Sequence, residues 1–236
     1  MFRFKQFTIR QDQTAMKVCT DACVLGAYAD VAESSGTPVR ILDIGAGTGL
    51  LALMAAQRNL QALVDAIEVD QQAFDQASEN VSDSPYKDRV RVWKGRVQDF
   101  VPPLPFHRIL TNPPFYTNHL RSPDPAVNRA LHTGELPFTE LVEAVVRLLR
   151  PDGQWWVLLP PYEMDVLTSL AATKGLYPLR QLLIRHNANK PVFRLVTGFT
   201  NSQQPVVSET LAIYEPASDT YTPTFRALLG DFYLIF

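Results

Sequence analysis

The chain reads Leu42-Asp43-Ile44-Gly45-Ala46-Gly47-Thr48-Gly49-Leu50 at the junction of a short apolar run and an apolar helical pattern. The run Arg40–Ile44 predicts a strand, and the pattern Leu50–Arg58 predicts a helix. Glycines at such a junction permit a tight turn and let the backbone approach a ligand closely. Free amides at the start of a helix favour a carboxylate or a phosphate. The stretch therefore predicts a βα unit whose turn binds a ligand.

The spacing of the glycines narrows the choice of ligand. Gly45, Gly47 and Gly49 follow the pattern G-x-G-x-G rather than the dinucleotide pattern G-x-G-x-x-G, and the P-loop lysine is absent. Asp43 before the glycines would repel a pyrophosphate, but it suits the ammonium of an amino acid such as that in S-adenosylmethionine. Glu68 ends the second predicted strand, where a carboxylate can accept both hydroxyls of a ribose. The alternative is an ordinary strand-to-helix turn with a surface glutamate.

A second motif, Asn112-Pro113-Pro114-Phe115, follows the apolar strand predicted at residues 109–111. Two prolines fix two φ angles and remove two backbone donors, so the strand ends there. The Asn112 side-chain oxygen and the Pro113 carbonyl can each accept one hydrogen of a planar amine, while Phe115 stacks on the base that carries it. This arrangement predicts alkylation of an exocyclic amino nitrogen. A plain strand-ending turn is the alternative.

The remaining pattern alternates strands with helices, which favours a mostly parallel sheet with helices on both faces. We expect a single domain over residues 1–236, with a short N-terminal helical extension at about residues 1–38. A loop predicted to be mobile covers residues 116–133. The other predicted elements are strands at 62–69, 89–93, 154–159, 179–186 and 193–200, helices at 136–149 and 162–174, a helix from the Asp70 cap to about Val81, and a turn at 151–153.

Composition and charge exclude several classes of protein. The 236 residues carry a formal net charge of −2, and neither a signal peptide nor an apolar run long enough to span a bilayer is present. We therefore expect a cytoplasmic protein without a membrane partner. Cys19 and Cys23 lack further ligands nearby, so we expect buried free thiols and no metal site. A monomer is expected because no exposed apolar heptad is evident.

One late segment is strongly one-sided in charge. Between Val166 and Ser208 there is no Asp or Glu, which makes the segment a candidate phosphate-contacting face. Solvated turns between late strands are the alternative. Arg121 and Arg129, in the loop after Phe115, are also placed to reach phosphates. The basic residues of the late segment are Lys174, Arg180, Arg185, Lys190 and Arg194.

Several motifs together resemble one family over the whole chain. Beside residues 42–54 and 112–115, the resemblance rests on Phe4-Lys5-Gln6-Phe7, Ala15-Met16-Lys17-Val18, Thr20-Asp21, Leu25-Gly26-Ala27 and Asp231-Phe232-Tyr233-Leu234. These stretches are similar to those of the bacterial tRNA(Val) (adenine-37-N6)-methyltransferase family. That family belongs to the class I methyltransferases that depend on S-adenosylmethionine.

The resemblance implies a Rossmann-like α/β fold with a seven-stranded, mostly parallel sheet. It implies S-adenosylmethionine as methyl donor and, as acceptor, the adenosine beside the anticodon, in the anticodon loop of a valine tRNA. Lys17 and Thr20 match a segment that borders the methionine end of the donor. The residues that the resemblance assigns to the donor are Asp43, Gly45, Gly47, Gly49 and Glu68, and those assigned to the adenine are Asn112, Pro113 and Phe115, with Pro114 completing the motif.

Two positions depart from the family pattern. Arg96 stands where an aspartate usually accepts a bond from the amine of the donor's adenine, and arginine has no acceptor. We expect the Val97 backbone or Asp99 to take over that contact. His107 stands where an aspartate commonly opens the fourth strand. It is expected to be a rim histidine rather than a catalyst.

Other functions remain open at this point. The motif at residues 112–115 also suits a guanine or adenine in ribosomal RNA, an adenine in DNA, or a glutamine side chain in a protein. A non-catalytic RNA-binding protein that keeps the fold is a further alternative, which Arg96 supports.

Overall fold

The computed structural model describes residues 1–14, 17–32, 38–114 and 136–236. Within these ranges the centre of the fold is an eight-stranded sheet. Its strands are β3 (Arg40–Ile44), β4 (Leu63–Glu68), β5 (Val90–Lys94), β6 (Phe106–Thr111), β7 (Leu149–Leu159), β8 (Tyr177–Asn187), β9 (Val192–Thr200) and β10 (Val207–Tyr214). Their order across the sheet is β10-β8-β9-β7-β6-β3-β4-β5.

Most neighbours in this sheet are parallel. β3 pairs in parallel with β4 and β6, β4 with β5, β6 with β7, and β8 with β10. Only β9 is antiparallel to its neighbours among these strands. The expected α/β class with a mostly parallel sheet is confirmed.

The expected count of seven strands is wrong, because β10 adds an eighth strand at the edge of the sheet. β10 pairs with β8 from Arg180 to Asn187, so β8 is not an edge strand over these residues. Leu211 and Ile213 of β10 are buried in the main core. Burial of these two side chains stabilises β10, a strand that was not predicted after the one at residues 193–200.

Helices cover both faces of the sheet. One face carries α1 (Thr20–Tyr28), α2 (Leu50–Arg58), α3 (Gln71–Ser82) and α6 (Pro223–Leu229), and the other carries α4 (Phe138–Leu148) and α5 (Pro161–Thr173). The adjacent residues Trp155 and Trp156 of β7 are both fully buried, one in each core. Their alternation follows from the pleat of the strand.

The predicted bounds of helices and strands are most accurate beside the glycine turn and at the Asp70 cap. β3 and α2 begin and end at the predicted residues, and Asp70 caps α3 by accepting a hydrogen bond from Ala73 N at 2.9 Å. The turn predicted at residues 151–153 is instead an irregularity within β7. Leu149 pairs with Phe106 and Gln154 with Arg108, so the residues of β7 between them bulge out of register.

The N-terminal segment contains more than the expected helical extension. β1 (Phe2–Arg3) and β2 (Thr8–Ile9) form an antiparallel ribbon before α1. Phe4 forms a bridge with Tyr233, and Lys5 N donates to Phe232 O at 2.8 Å. The N-terminal ribbon therefore packs against residues 232–233.

Two predictions lie outside the described residues. These are the loop at residues 116–133, with Arg121 and Arg129, and the position of Phe115. No helix among the described residues is long and apolar enough to cross a bilayer.

Candidate functional site

Strand register brings the two motifs to one edge of the sheet. Ile44, at the end of β3, pairs with Ile67 of β4 and with Thr111 of β6. The residues that follow these three positions are Gly45, Glu68 and Asn112. The carboxyl end of a parallel sheet is where open α/β folds bind ligands. Both predicted binding motifs therefore lie side by side at the expected edge.

The glycine turn adopts a backbone that other residues rarely adopt. Gly45, Gly47 and Gly49 have φ angles of 72°, 56° and 79°. Gly45 N and Ala46 N donate to Ile67 O at 2.9 and 3.1 Å, which fixes the turn against β4. A Cβ added at Gly45 or Gly47 would meet none of the described atoms within 4 Å. The φ angles thus require the glycines, and the open space beside them can accept a ligand.

Asp43 lies buried beneath this turn. Its side chain is 1% exposed, and its Oδ2 accepts a hydrogen bond from Ala52 N at 3.1 Å. Its Oδ1 is buried and has no hydrogen-bond partner among the described residues. Burial raises the pKa of Asp43 to about 7; the Ala52 N–H lowers this pKa and the nearby Glu68 charge raises it. A buried carboxyl with one unused oxygen fits a cationic group such as an ammonium.

Glu68 supports the turn from the neighbouring strand. Its Oε2 accepts a hydrogen bond from Gly47 N at 2.8 Å, and its Oε1 accepts one from Asp70 N at 2.8 Å. The side chain is 8% exposed. Each carboxylate oxygen has a further lone pair, so this group can also accept hydroxyls of a ribose.

Asn112 presents an unused acceptor at the end of β6. Its Oδ1 is buried and has no hydrogen-bond partner within the described part of the chain. A buried acceptor without a partner costs about 1–3 kcal/mol, so a group of this kind is expected where a ligand supplies the missing donor. Pro113 is buried and Pro114 is exposed.

A buried tryptophan positions the residue before Asn112. The indole Nε1 of Trp155 donates to Thr111 Oγ1 at 3.2 Å, and both side chains are buried. Trp155 was not among the site residues predicted from the sequence. An aromatic residue in an apolar strand carries no local signal of this contact, because its partner lies on another strand.

The segment after β5 is anchored by α4. Val97 is buried at the start of a short 3-10 turn (Val97–Asp99), and its carbonyl accepts a hydrogen bond from Arg147 Nη2 at 2.8 Å. Arg147 also donates to Phe100 O at 2.7 Å. The side chain of Arg96 forms an ion pair of 3.4 Å with Glu140. Arg96 is therefore directed towards α4 in this structure.

The two candidates from the N-terminal segment lie around the start of α1. Lys17 is exposed just before the helix, and Thr20 is the half-buried first residue of the helix. Thr20 contacts the hydroxyl of Tyr233, and burial raises the pKa of that hydroxyl. Neither Lys17 nor Thr20 hydrogen-bonds to Asp43 or to the glycines within the described ranges.

Three other residues were considered from the sequence: His107, Cys19 and Cys23. His107 Nδ1 accepts a hydrogen bond from Arg40 N at 3.0 Å, at the opposite end of the sheet. Burial raises the pKa of both Cys19 and Cys23 to about 12, so both remain thiols at neutral pH. In the parts of the chain that the structure describes, no group of three or more His, Cys, Asp or Glu side chains could hold a metal ion.

The chain is similar in sequence to known methyltransferases. Residues 31–162 match the family model of the methyltransferase small domain. The chain is 49% identical, over 238 residues that cover 100% of it and 98% of the relative, to a protein from Dyadobacter fermentans named tRNA1(Val) (adenine(37)-N6)-methyltransferase.

Two solved structures share the fold. The first is described as an O-methyltransferase from Agrobacterium tumefaciens; its TM-score is 0.68 at 20% identity, and the match covers 89% of this chain and 96% of that one. The second is described as a class I S-adenosylmethionine-dependent methyltransferase from Listeria monocytogenes. Its TM-score is 0.61 at 14% identity, with 92% of this chain and 70% of that chain covered.

Proposed function

Because the chain belongs to the family of tRNA1(Val) (adenine(37)-N6)-methyltransferases, we propose that it methylates the 6-amino group of adenosine 37 in the anticodon loop of a valine tRNA. S-adenosylmethionine is the methyl donor of this class. One observation supports the proposal most directly: Asn112 Oδ1, which is buried and has no hydrogen-bond partner among the described residues, lies at the same sheet edge as the glycine turn.

The residues around the glycine turn fit the donor. The unused Oδ1 of Asp43 suits its ammonium, and the open space beside Gly45 and Gly47 lets the backbone approach it. Glu68 would accept the ribose hydroxyls, and the main chain at Val97 would border the adenine. Lys17 and Thr20 would border the methionine end. When bound there, S-adenosylmethionine supplies an electrophilic methyl group on a sulfonium.

The motif at residues 112–115 would hold the acceptor amine. The lone pair of an aromatic amine is delocalised into the ring, which makes the nitrogen a poor nucleophile. Asn112 Oδ1 and the Pro113 carbonyl would each accept one hydrogen of this amine, which fixes its orientation and localises the lone pair on the nitrogen. Pro114 keeps the corner rigid, and Phe115 would stack on the base, a contact worth about 1–3 kcal/mol.

Most of the rate gain would come from alignment and from fixed acceptors at the nitrogen where positive charge develops. The nitrogen becomes acidic only as it gains the methyl group. The site therefore needs no general base before transfer. The target adenosine must also turn out of its stack before its amine can reach Asn112.

Incubation with labelled donor and total bacterial tRNA tests the proposal. After digestion, the label should appear in N6-methyladenosine, and sequencing of the labelled tRNA should place it at position 37 of a valine tRNA. Label that appears only in protein, in DNA or in a guanine nucleoside would overturn the acceptor. Absence of any donor binding by titration calorimetry would instead favour a non-catalytic RNA-binding protein.

The domain organisation, the oligomeric state, the absence of a metal requirement and the cytoplasmic location remain predictions. We propose one domain over residues 1–236, supported by the bridge between Phe4 and Tyr233. Light scattering of the purified protein tests the monomer, and activity after treatment with a chelator tests the metal requirement.

A further inference from the structure

An open pocket of about 360 Å³ lies on the side of the sheet where β10 is the last strand, several strands from the glycine turn. Its walls come from β8, β10 and the start of α6. Arg185 supplies the only formal charge among the lining residues. The residues that line the pocket are Arg185, Ala188, Thr210, Ala212, Thr222 and Thr224.

Arg185 differs from the other arginines of the late basic segment in its pairing. Arg180 pairs with Glu209 at 2.8 Å, and Arg194 pairs with Asp21 at 3.0 Å. Arg185 makes no ion pair with any described carboxylate, and its Nε is buried without a hydrogen-bond partner in the same ranges. Its Nη1 reaches only Lys190 O, at 3.5 Å. A half-buried guanidinium with an unused donor is expected to bind an anion.

The pocket contains neutral hydrogen-bond donors, and the acid that precedes Thr210 in sequence points away from it. The hydroxyls of Thr210 and Thr224 form no hydrogen bond within the described residues. Glu209 precedes Thr210 on β10, and successive side chains of a strand point to opposite faces. Glu209 therefore projects towards Arg180 on the face opposite the pocket. The pocket walls thus present one positive charge and hydroxyl donors to a ligand.

The pocket opens towards the same edge of the sheet as Asn112. β8 and β10 run parallel to β7 and β6, because β9 between β7 and β8 is antiparallel to both. Arg185 is near the carboxyl end of β8, and its register partner on β10 is Ala212. Three to four strand spacings of about 4.8 Å separate β6 from β8 and β10. The register through Val157, Thr197 and Gln181 places Arg185 about 10 Å beyond Asn112 along the strands, so the pocket lies about 17–22 Å from Asn112.

We propose that this pocket binds one backbone phosphate of the substrate RNA, a few nucleotides from the base held at Asn112. The proposal rests on the proposed function, because it takes the RNA to be the acceptor. Arg185 donates to the phosphate oxygens through its free edge, and Thr210 and Thr224 add hydroxyl donors. The contact fixes the register of the RNA on the enzyme without reading its sequence.

The test measures tRNA binding across salt concentrations for Arg185→Gln and two comparison variants. Loss of one phosphate contact reduces the slope of log K against log salt by about 0.7–0.9. We expect this reduction, with binding several-fold weaker at low salt, for Arg185→Gln. Arg150→Gln is the matched control, because Arg150 lies at the other end of β7 and pairs with Asp152. Arg180→Gln should change the slope less, because Glu209 already neutralises that charge.

Two further measurements separate the possible outcomes. Donor binding by Arg185→Gln should equal that of the wild type, which would show that the variant is folded. If Arg185→Gln does not bind the donor normally, a double variant, Thr210→Val with Thr224→Val, takes its place. This double variant should also weaken tRNA binding. Inorganic phosphate should compete with tRNA for the wild type and not for Arg185→Gln.

An unchanged salt slope for Arg185→Gln would overturn the proposal, as would an equal loss for Arg180→Gln. Phosphate binding without any effect of Arg185→Gln on tRNA would show a site for a free anion instead. Failure of the wild type to methylate tRNA would count against the proposed function and is measured separately.

Discussion

The carboxylate of Glu68 accepts a hydrogen bond from the backbone N–H of Gly47 at 2.8 Å. A side chain at the end of β4 thus holds the middle of the glycine turn that follows β3. The second oxygen of Glu68 accepts from Asp70 N at 2.8 Å, at the start of α3. One carboxylate therefore joins two strand-to-helix turns and leaves lone pairs for a ligand.

Replacement of this carboxylate tests its double role. Glu68→Gln places an amide NH2 against one of two backbone N–H groups, so the turn loses one acceptor. Hydrogen bonds to a charged group contribute about 1.5–3 kcal/mol, and we expect roughly ten- to a hundredfold weaker binding of S-adenosylmethionine. Titration calorimetry measures the loss. Binding within about twofold of the wild type would contradict a direct contact between Glu68 and the donor.

Asp43 makes the stability of the donor-free protein depend on pH. Burial raises its pKa to about 7, above the ordinary value of 3.8. The native state then binds more protons than the unfolded state between these values, so stability falls as the pH rises through this window. In Asp43→Asn this part of the pH dependence should disappear. Denaturant unfolding at a series of pH values from about 4 to 8 is the measurement, and an unchanged slope would contradict the assigned pKa.

Donor binding should show the opposite trend with pH. The ammonium of S-adenosylmethionine favours the ionised form of Asp43, so affinity should increase as the pH rises through about 7. Asp43→Asn should bind the donor more weakly and without this step. Calorimetry at pH 6 and pH 8 measures both effects. Asp152→Asn serves as a carboxyl control, because Asp152 pairs with Arg150 at the end of the sheet opposite the glycine turn.

The parts of this fold that could be predicted from sequence are those with strong local causes. The bounds of β3 and α2 followed from an apolar run, three glycines and an apolar helix, which all act within a few residues. β10 was missed, because only its later residues, Leu211 and Ile213, reach the core. The bulge in β7 was predicted as a turn, because a sequence such as Pro151-Asp152-Gly153 is compatible with either a turn or a bulge.

The ion pairs of the basic segment could not be predicted from its local sequence. It contains no acid between residues 166 and 208, yet three of its five basic residues form ion pairs with acids from other elements. Lys174 pairs with Glu143, and the partner of Arg194 is Asp21 on α1. These pairs join residues far apart in sequence. Only the fold therefore shows that, among the described residues, the basic side chains of this segment without an ion pair are Arg185 and Lys190.

Removal of the amide at residue 112 should separate chemistry from donor binding. Asn112→Ala eliminates the buried oxygen that would accept a hydrogen of the adenine amine. Loss of one such preorganised contact in a catalytic site costs about a hundred- to a thousandfold in rate. Single-turnover methylation of tRNA should fall by at least that factor while donor affinity stays nearly constant. Stability should not decrease, because the acceptor removed has no partner among the described residues.

Trp155 offers a test of a residue that positions the motif without touching the substrate. Trp155→Phe removes the indole donor to Thr111 Oγ1, so the residue before Asn112 loses its side-chain anchor. We expect a destabilisation of about 1–3 kcal/mol and a fall in kcat, with little change in the KM for S-adenosylmethionine. Trp156→Phe is the matched control: it is equally buried, packs in the other core and donates to Gln154 instead. Both variants should lose similar stability, and only Trp155→Phe should lose kcat. An equal loss of kcat in both would show that the effect comes from general loosening of β7 and not from the contact to Thr111.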